Sequence, residues 1–328
     1  MVGALGENQA MGFSARWAGL FQLILWLLAA ILLLLLFVGG LGDHQPRFLK
    51  QAWNLGHVVA FALWSYLAAT SWRRLAERSW GGQFWVLMLL ALLVGGLTEV
   101  LQGRFFGRDA SVADVLRDGV GALVTTAFLL PARHQLSPRP RRFLWGAVLL
   151  ALGVTLLPLG RALVDEALAR RQFPVLADFE TPFEIDRWQG RGTMTTDRSL
   201  ARHGHSSSRI MLSPPSRYPG VSLYDFPGDW RGYTALRFSL YSPAATPRTV
   251  HCRVHDQWHR RHGQHYADRF STSFELHGGW NDIVIPLATI VAAPKGRRMD
   301  MAAIEGFGIF VVDPREPVTL WLDQVRLE

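Results

Sequence analysis

The chain has 328 residues, a formal net charge of +8 and 49% hydrophobic residues, a length that suits two folding units. Its single cysteine, Cys252, excludes an intramolecular disulfide framework. The basic excess is uneven, with 13 Lys/Arg against 7 Asp/Glu in residues 1–160 and 21 against 19 in 161–328. Beside apolar segments such an excess sets membrane orientation and meets anionic lipid, and nothing in the sequence points to nucleic acid.

The first element, 17–38, is an almost wholly apolar run of 22 residues, long enough to cross a hydrocarbon core of about 30 Å. It exceeds a signal-peptide core and no small-residue cleavage site follows it, so it is expected to stay as an anchor. Further spans are expected at about 53–70, 83–101, 114–131 and 144–160. These make a five-helix membrane bundle over 1–160. Arg16, Arg73, Arg74, Arg78, Arg133, Arg139, Arg141 and Arg142 fall on one side, and Arg47, Lys50, Arg104 and Arg108 on the other. The positive-inside rule then puts the N terminus in the cytoplasm and everything after the fifth span outside. That predicts a multi-pass protein of the inner (cytoplasmic) membrane with a periplasmic or extracellular C-terminal half.

Between 99 and 118 lies a polar string of Glu99, Gln102, Arg104, Arg108, Asp109, Asp114, Arg117 and Asp118. An ionisable group at membrane depth costs roughly 2.5–3.5 kcal/mol on insertion scales, which makes it a functional-site hypothesis. Glu99 and Gln102 share one helix face, as do Asp114, Asp118 and Gly121 on the next helix. His57 starts the second span on the same side. His57, Glu99, Arg108 and Asp114 are the candidates for acid–base work, with Lys50, Gln102, Ser111 and Asp118 as binding residues. The alternative is structural: the charges pair to lock a helical hairpin.

The order Lys50, His57, Phe61, followed by TEVLQGRFFGRDASVADVLRDGVGA with its E-x2-Q-x5-R-x2-S-x2-D spacing, resembles the VanZ-like family of polytopic bacterial membrane proteins over about residues 20–135. The resemblance implies an envelope role at the outer face and matches Lys50, His57, Glu99, Gln102, Arg108, Ser111, Asp114 and Gly121. The family takes its name from a member linked to low-level teicoplanin resistance, and the activity of most members is undefined. Asp118 stands where that family usually has asparagine.

A short polar helical stalk is expected at 161–173, ending at Pro174. From 174 to 328 brief apolar or alternating runs separated by turn residues predict an antiparallel jelly-roll β-sandwich. These runs are VLADFE, SRIMLS, GVSLYDF, ALRFSLYS, TVHCRVHD, FSTSFEL, WNDIVIPL, FGIFVV and VTLWLDQVRL. In TVHCRVHD the alternation turns Val250, Cys252 and Val254 inward, and His251, Arg253 and His255 outward. With Trp258 and Tyr266 these form a candidate sugar site; the alternatives are a solvated loop after an edge strand and, more remotely, metal binding by the histidines. Trp230, Trp280 and Trp321 are read as core. The second half resembles galactose-binding-like jelly rolls and carbohydrate-binding modules. That resemblance implies a structural calcium between first and last strands, with Glu180 and Asp323 as its candidate ligands or, otherwise, a charged pair at a sheet edge. No other cofactor is expected.

The leading expectation is therefore a non-enzymatic VanZ-like envelope protein. Its partners are membrane lipids and an envelope polysaccharide or lipid-linked glycan. The rival is a membrane-embedded enzyme acting on a lipid-linked sugar or phosphate. A third reading, a helper in anionic-lipid transport, lacks a polar row through the membrane centre.

Overall fold

The computed structural model describes residues 3–38, 45–105 and 110–328. The chain divides into two compact units, Met1–Gly160 and Arg161–Glu328.

The helices are α1 (Gly3–Val38), α2 (Arg47–Asn54), α3 (Gly56–Ser71), α4 (Arg73–Ala76), α5 (Trp80–Phe105), α6 (Val112–Val124) and α7 (Pro138–Gln172). A π-helical turn, Thr125–Leu129, extends α6. Among the described residues three helices are long and apolar enough to cross a membrane: α1 over Gly19–Phe37, α5 and α7. Two of the five expected spans are not. The 16 residues of α3 reach only about 24 Å at about 1.5 Å per residue. The α6 segment carries Asp114, Arg117 and Asp118 in its 13 residues. The fifth expected span and the polar stretch after it form one continuous helix, α7, with Pro158 inside it.

In the first unit α3 packs against α1, α5 and α6. The contacts are made largely by small residues, with Ala60, Ala91 and Ala122 fully buried beside Phe61 and Leu36. Small side chains let helix backbones approach closely. Gly121 marks the tightest point: a Cβ there would lie 2.6 Å from the Val58 carbonyl oxygen and 2.8 Å from the Ala62 nitrogen. The outward faces stay apolar, with Leu27, Leu34, Leu93, Leu97, Leu150 and Val154 exposed.

The second unit is a sandwich of two antiparallel sheets. Its strands are β1 (Val175–Ala177), β2 (Trp188–Gly190), β3 (Thr193–Asp197), β4 (Ser207–Leu212), β5 (Gly220–Leu223), β6 (Ala235–Ser242), β7 (Arg248–Asp256), β8 (Phe270–Leu276), β9 (Gly279–Pro286), β10 (Ile304–Phe310) and β11 (Val318–Leu327). One sheet runs β3-β4-β11-β6-β9 with β1 also on β11; the other runs β2-β5-β10-β7-β8. A short helix, α8 (Gln257–Arg261), follows β7.

The core between the sheets includes Ile210, Leu240, Leu322, Val250, Cys252, Val254 and Phe307. The alternation of β7 is as expected, and burial pushes the Cys252 thiol up, away from thiolate. Trp230 is fully buried, as expected. Trp280 and Trp321 are not core residues. Register places Trp321, Tyr241 and Trp280 side by side on the outer face of the six-stranded sheet, where each indole meets Tyr241 edge-on. Strand pairing brings Arg209 alongside Trp321, so the aromatic row is half-covered by polar neighbours.

The helical end of this unit is held by a buried ion pair. Arg187, 0% exposed, donates from Nε to both oxygens of Asp165 at 2.8 and 3.0 Å, and from Nη1 to the Leu176 carbonyl at 3.2 Å. Burial this deep is tolerated because the guanidinium fork meets a carboxylate and a backbone acceptor together.

Candidate functional sites

Two constellations emerge, one in each unit. In the helical unit the polar residues gather at one end of the bundle, contributed by the first turn of α3, the last turns of α5 and the start of α6. His57, Glu99, Gln102, Asp114 and Asp118 are all buried. The His57 Nδ1 lies 2.8 Å from Asp118 Oδ1. Ligand atoms of His57, Glu99 and Asp114 lie within 4.8 Å of one another, the one group of three such residues among those described that could hold a metal ion.

Backbone donors and side chains fix this cluster. Ser111 caps α6, its hydroxyl accepting from the Asp114 amide at 3.2 Å, while the Ser111 amide donates to Glu99 Oε2 at 2.7 Å. A cap of this kind satisfies one of the free amides at a helix start. Gln102 Nε2 donates to the Leu36 carbonyl at 2.7 Å and so ties α5 to the end of α1. Arg117, a member of the polar string but not of the candidate set, pairs with Asp114. A carboxylate at 118 is a better acceptor for the His57 imidazole N–H than a neutral amide would be. Its second oxygen is buried without a hydrogen-bond partner among the described residues, in space left open by Gly95, where a Cβ would come within 2.3 Å. Lys50 lies on α2, and Arg108 lies outside the described residues.

In the sandwich the five-stranded sheet presents a groove of about 840 Å³ on its outer face. Strand register builds its floor in rows. Gln189, Ser222, Gly308, Arg253 and Ser271 form one row; Gly220, Phe310, His251 and Ser273 form the next. Gly308 keeps the centre low: a Cβ there would meet Ser222 Oγ at 2.6 Å and Arg253 Nε at 3.0 Å. The Arg253 side chain spans that gap, donating from Nη2 to Ser222 Oγ at 3.0 Å and to the Tyr224 hydroxyl at 3.3 Å.

Aromatic rings wall the groove. His251 stacks on Phe310 with centroids 5.1 Å apart and planes 18° from parallel. Tyr218 meets Phe310 edge-on. The Tyr266 ring, 71% exposed, carries the Arg269 guanidinium at 5.1 Å. Of the five sandwich residues expected in a sugar site, His251, Arg253 and Tyr266 line this groove. His255 and Trp258 do not. His255 lies on the same strand face but is covered, 5% exposed, beside Tyr224 and His259. Burial, reinforced by Arg253, His259, Arg260 and Arg269, holds its imidazole down to about 3. Trp258, on α8, stacks instead on His262 with centroids 3.7 Å apart. Sequence reasoning missed Tyr218, Tyr224, Arg269 and Phe310. The alternation in GVSLYDF and FGIFVV does put Ser222, Tyr224, Gly308 and Phe310 on outward faces, but only the pairing of β10 between β5 and β7 joins them to Arg253.

Glu180 and Asp323 serve one loop. Asp323 Oδ2 accepts from the amides of Arg202 and His203 at 2.7 and 2.9 Å; Glu180 Oε1 accepts from those of His205 and Ser206 at 2.6 and 2.7 Å. Asp323 is wholly buried, and its Oδ1 has no donor among the described residues. Burial pushes its carboxyl above the usual range, with the nearby Asp178 adding to the shift. That carboxylate oxygen, left over beside the four amide donors, is of the type a hard cation takes.

No family model matches the chain. No curated protein matches it either. Among solved structures, the chain is similar to the family 11 carbohydrate-binding module from Clostridium thermocellum in complex with a β-1,3-1,4-mixed-linked tetrasaccharide. The identity is 14% and the TM-score 0.36 over 47% of this chain and 93% of that one. It is also similar to an exo-β-agarase, at 16% identity and TM-score 0.37 over 47% of this chain and 24% of the enzyme. A family 30 carbohydrate-binding module of a cellulosomal cellulase from Clostridium thermocellum gives 14% identity and TM-score 0.32, covering 42% and 82%.

Proposed function

We propose that this chain is a VanZ-like integral protein of the bacterial envelope whose sandwich binds a glycan in the groove of the five-stranded sheet. The observation that carries the reading is the groove itself. Tyr218, Tyr266 and Phe310 offer ring surfaces for the C–H faces of a sugar, while Gln189, Ser222, His251 and Arg253 offer hydrogen-bonding groups at its floor. A cleft with apolar walls and a few placed polar groups is the usual form of a small-ligand site.

The three apolar helices anchor the protein in the inner membrane beside its lipids. Three crossings and five crossings share odd parity, so either count supports a sandwich opposite the N terminus, which the basic residues favour on the cytoplasmic side. A calcium held by Glu180 and Asp323 braces the loop those carboxylates already hold. The binding reading is tested with the full-length protein in detergent by affinity electrophoresis through gels containing envelope and plant polysaccharides. Retardation by a polysaccharide, lost in Tyr218→Ala, is expected; migration unchanged in every gel would end the reading.

One observation favours a second reading, a membrane-embedded enzyme acting on a lipid-linked sugar or phosphate. His57, Glu99 and Asp114 converge within 4.8 Å, close enough to meet one substrate group. Lipid and glycan profiles of a deletion strain complemented with Glu99→Gln or Asp114→Asn decide it. Profiles restored to wild type by both variants return the cluster to a structural role.

A further inference from the structure

The groove is one-sided in charge. Arg191, Arg253 and Arg269 line it together with His251, and no aspartate or glutamate does so among the described residues. The acids closest in sequence to Arg253 and Arg269, Asp256 and Asp268, are engaged elsewhere, both pairing with Arg297.

One of these arginines is held at a cost. Arg269 is half-buried, and its Nε is shielded from solvent with no hydrogen-bond partner among the described residues. A shielded guanidinium donor without an acceptor is unfavourable and is normally answered by an oxygen. Both side chains line the groove, and burial first, then repulsion from Arg253, lowers the pKa of Arg269. Arg253 commits only Nη2 to protein acceptors among the described residues. A neutral sugar leaves this arrangement uncompensated. A carboxylate supplies two coplanar oxygens, the complement of a guanidinium fork.

Resting on the glycan reading of this groove, we propose that its ligand is an acidic polysaccharide, a chain of uronate-type sugars whose carboxylates are taken by Arg253 and Arg269 while Tyr218, Tyr266 and Phe310 receive the ring faces. Selectivity against neutral glycans then comes from the uncompensated guanidinium groups, and affinity falls with salt.

The test is affinity electrophoresis and calorimetry of the full-length protein in detergent. The probes are polygalacturonate as the acidic polymer, lichenan and laminarin as neutral polymers, and dextran sulfate against dextran as a pair differing only in sulfation. Polygalacturonate is expected to bind at least about tenfold tighter than either neutral polymer near 50 mM NaCl, with the advantage shrinking near 300 mM as charges are screened. Arg269→Gln should weaken polygalacturonate binding by about tenfold or more. Arg269→Lys, which keeps the charge and loses the fork, should fall between, with circular dichroism verifying the fold of both.

Equal or tighter binding of lichenan or laminarin overturns the acidic assignment and leaves the glycan reading standing. No retardation by any polymer removes both. Dextran sulfate binding as tightly as polygalacturonate, unchanged in Arg269→Gln, identifies nonspecific ion exchange and also overturns the assignment.

Discussion

His255 makes the sandwich acid-sensitive in a way that can be isolated. Its imidazole is 5% exposed and is flanked by Tyr224 and His259. Arg253, Arg260 and Arg269 all oppose its protonation. Folding lowers its pKa from 6.5 to about 3. Between those values the unfolded chain binds the proton that the folded chain refuses, so stability is complete above about pH 6.5 and falls as pH falls towards 3. Each pH unit in that window removes about 1.4 kcal/mol. Taking the protein from pH 7.5 to 5 thus costs about 2 kcal/mol, or roughly 4–8 °C in Tm for a unit of this size. His259, also lowered by burial, acts in the same direction, and the carboxylates contribute mainly at lower pH. Thermal unfolding by near-UV circular dichroism, comparing wild type with His255→Gln at both pH values, separates the contribution. The variant should lose about 2 kcal/mol less than wild type on acidification. Equal losses in the two proteins would refute the argument.

Other outcomes follow from the packing. Gly121→Val places side-chain atoms where the α3 backbone runs, and should destabilise the helical unit by about 3 kcal/mol or more, read as a lower Tm in detergent; unchanged stability would show that α3 and α6 can separate without loss. Arg187→Met leaves Asp165 charged and buried and should cost about 3–5 kcal/mol, with Arg187→Met/Asp165→Leu recovering most of it. If the double variant is as unstable as the single, the loss lies in packing rather than in the unpaired charge. Millimolar calcium should raise the Tm of the sandwich relative to chelator, and Asp323→Asn should abolish the rise; identical melting in calcium and chelator removes the cation from Glu180 and Asp323.

The strands that carry core residues were legible because their alternation is physical: Val250, Cys252 and Val254 cannot turn outward without exposing the core. The strands missed, β2 and β3, are short edges. Thr193–Asp197 reads TMTTD, with no apolar alternation, since its outer side and its free edge meet water. On the helical side hydropathy found α1, α5 and the apolar part of α7, but it ran α3 and α6 to full spans. It averages over composition, whereas the helix expected from 53 is interrupted at Leu55, between α2 and α3, and α6 carries Asp114, Arg117 and Asp118. Helical spacing foretold the meeting of His57, Glu99 and Asp114. It did not foretell the groove, whose residues come from β2, β5, β7, β10 and the segment after α8, and are joined only by register. His255 shows the limit most plainly. Its face was read correctly from sequence, yet the neighbours that bury it belong to other strands and to α8.

Cys252 has a practical consequence. A lone thiol sealed between two sheets and held protonated leaves the folded chain silent toward thiol reagents. Single cysteines introduced one at a time into 73–78, 133–142 or an exposed turn of the sandwich would each be the sole reactive group. A maleimide that cannot cross the membrane would then report, in intact cells, which side each position occupies, with the wild-type chain as its own blank.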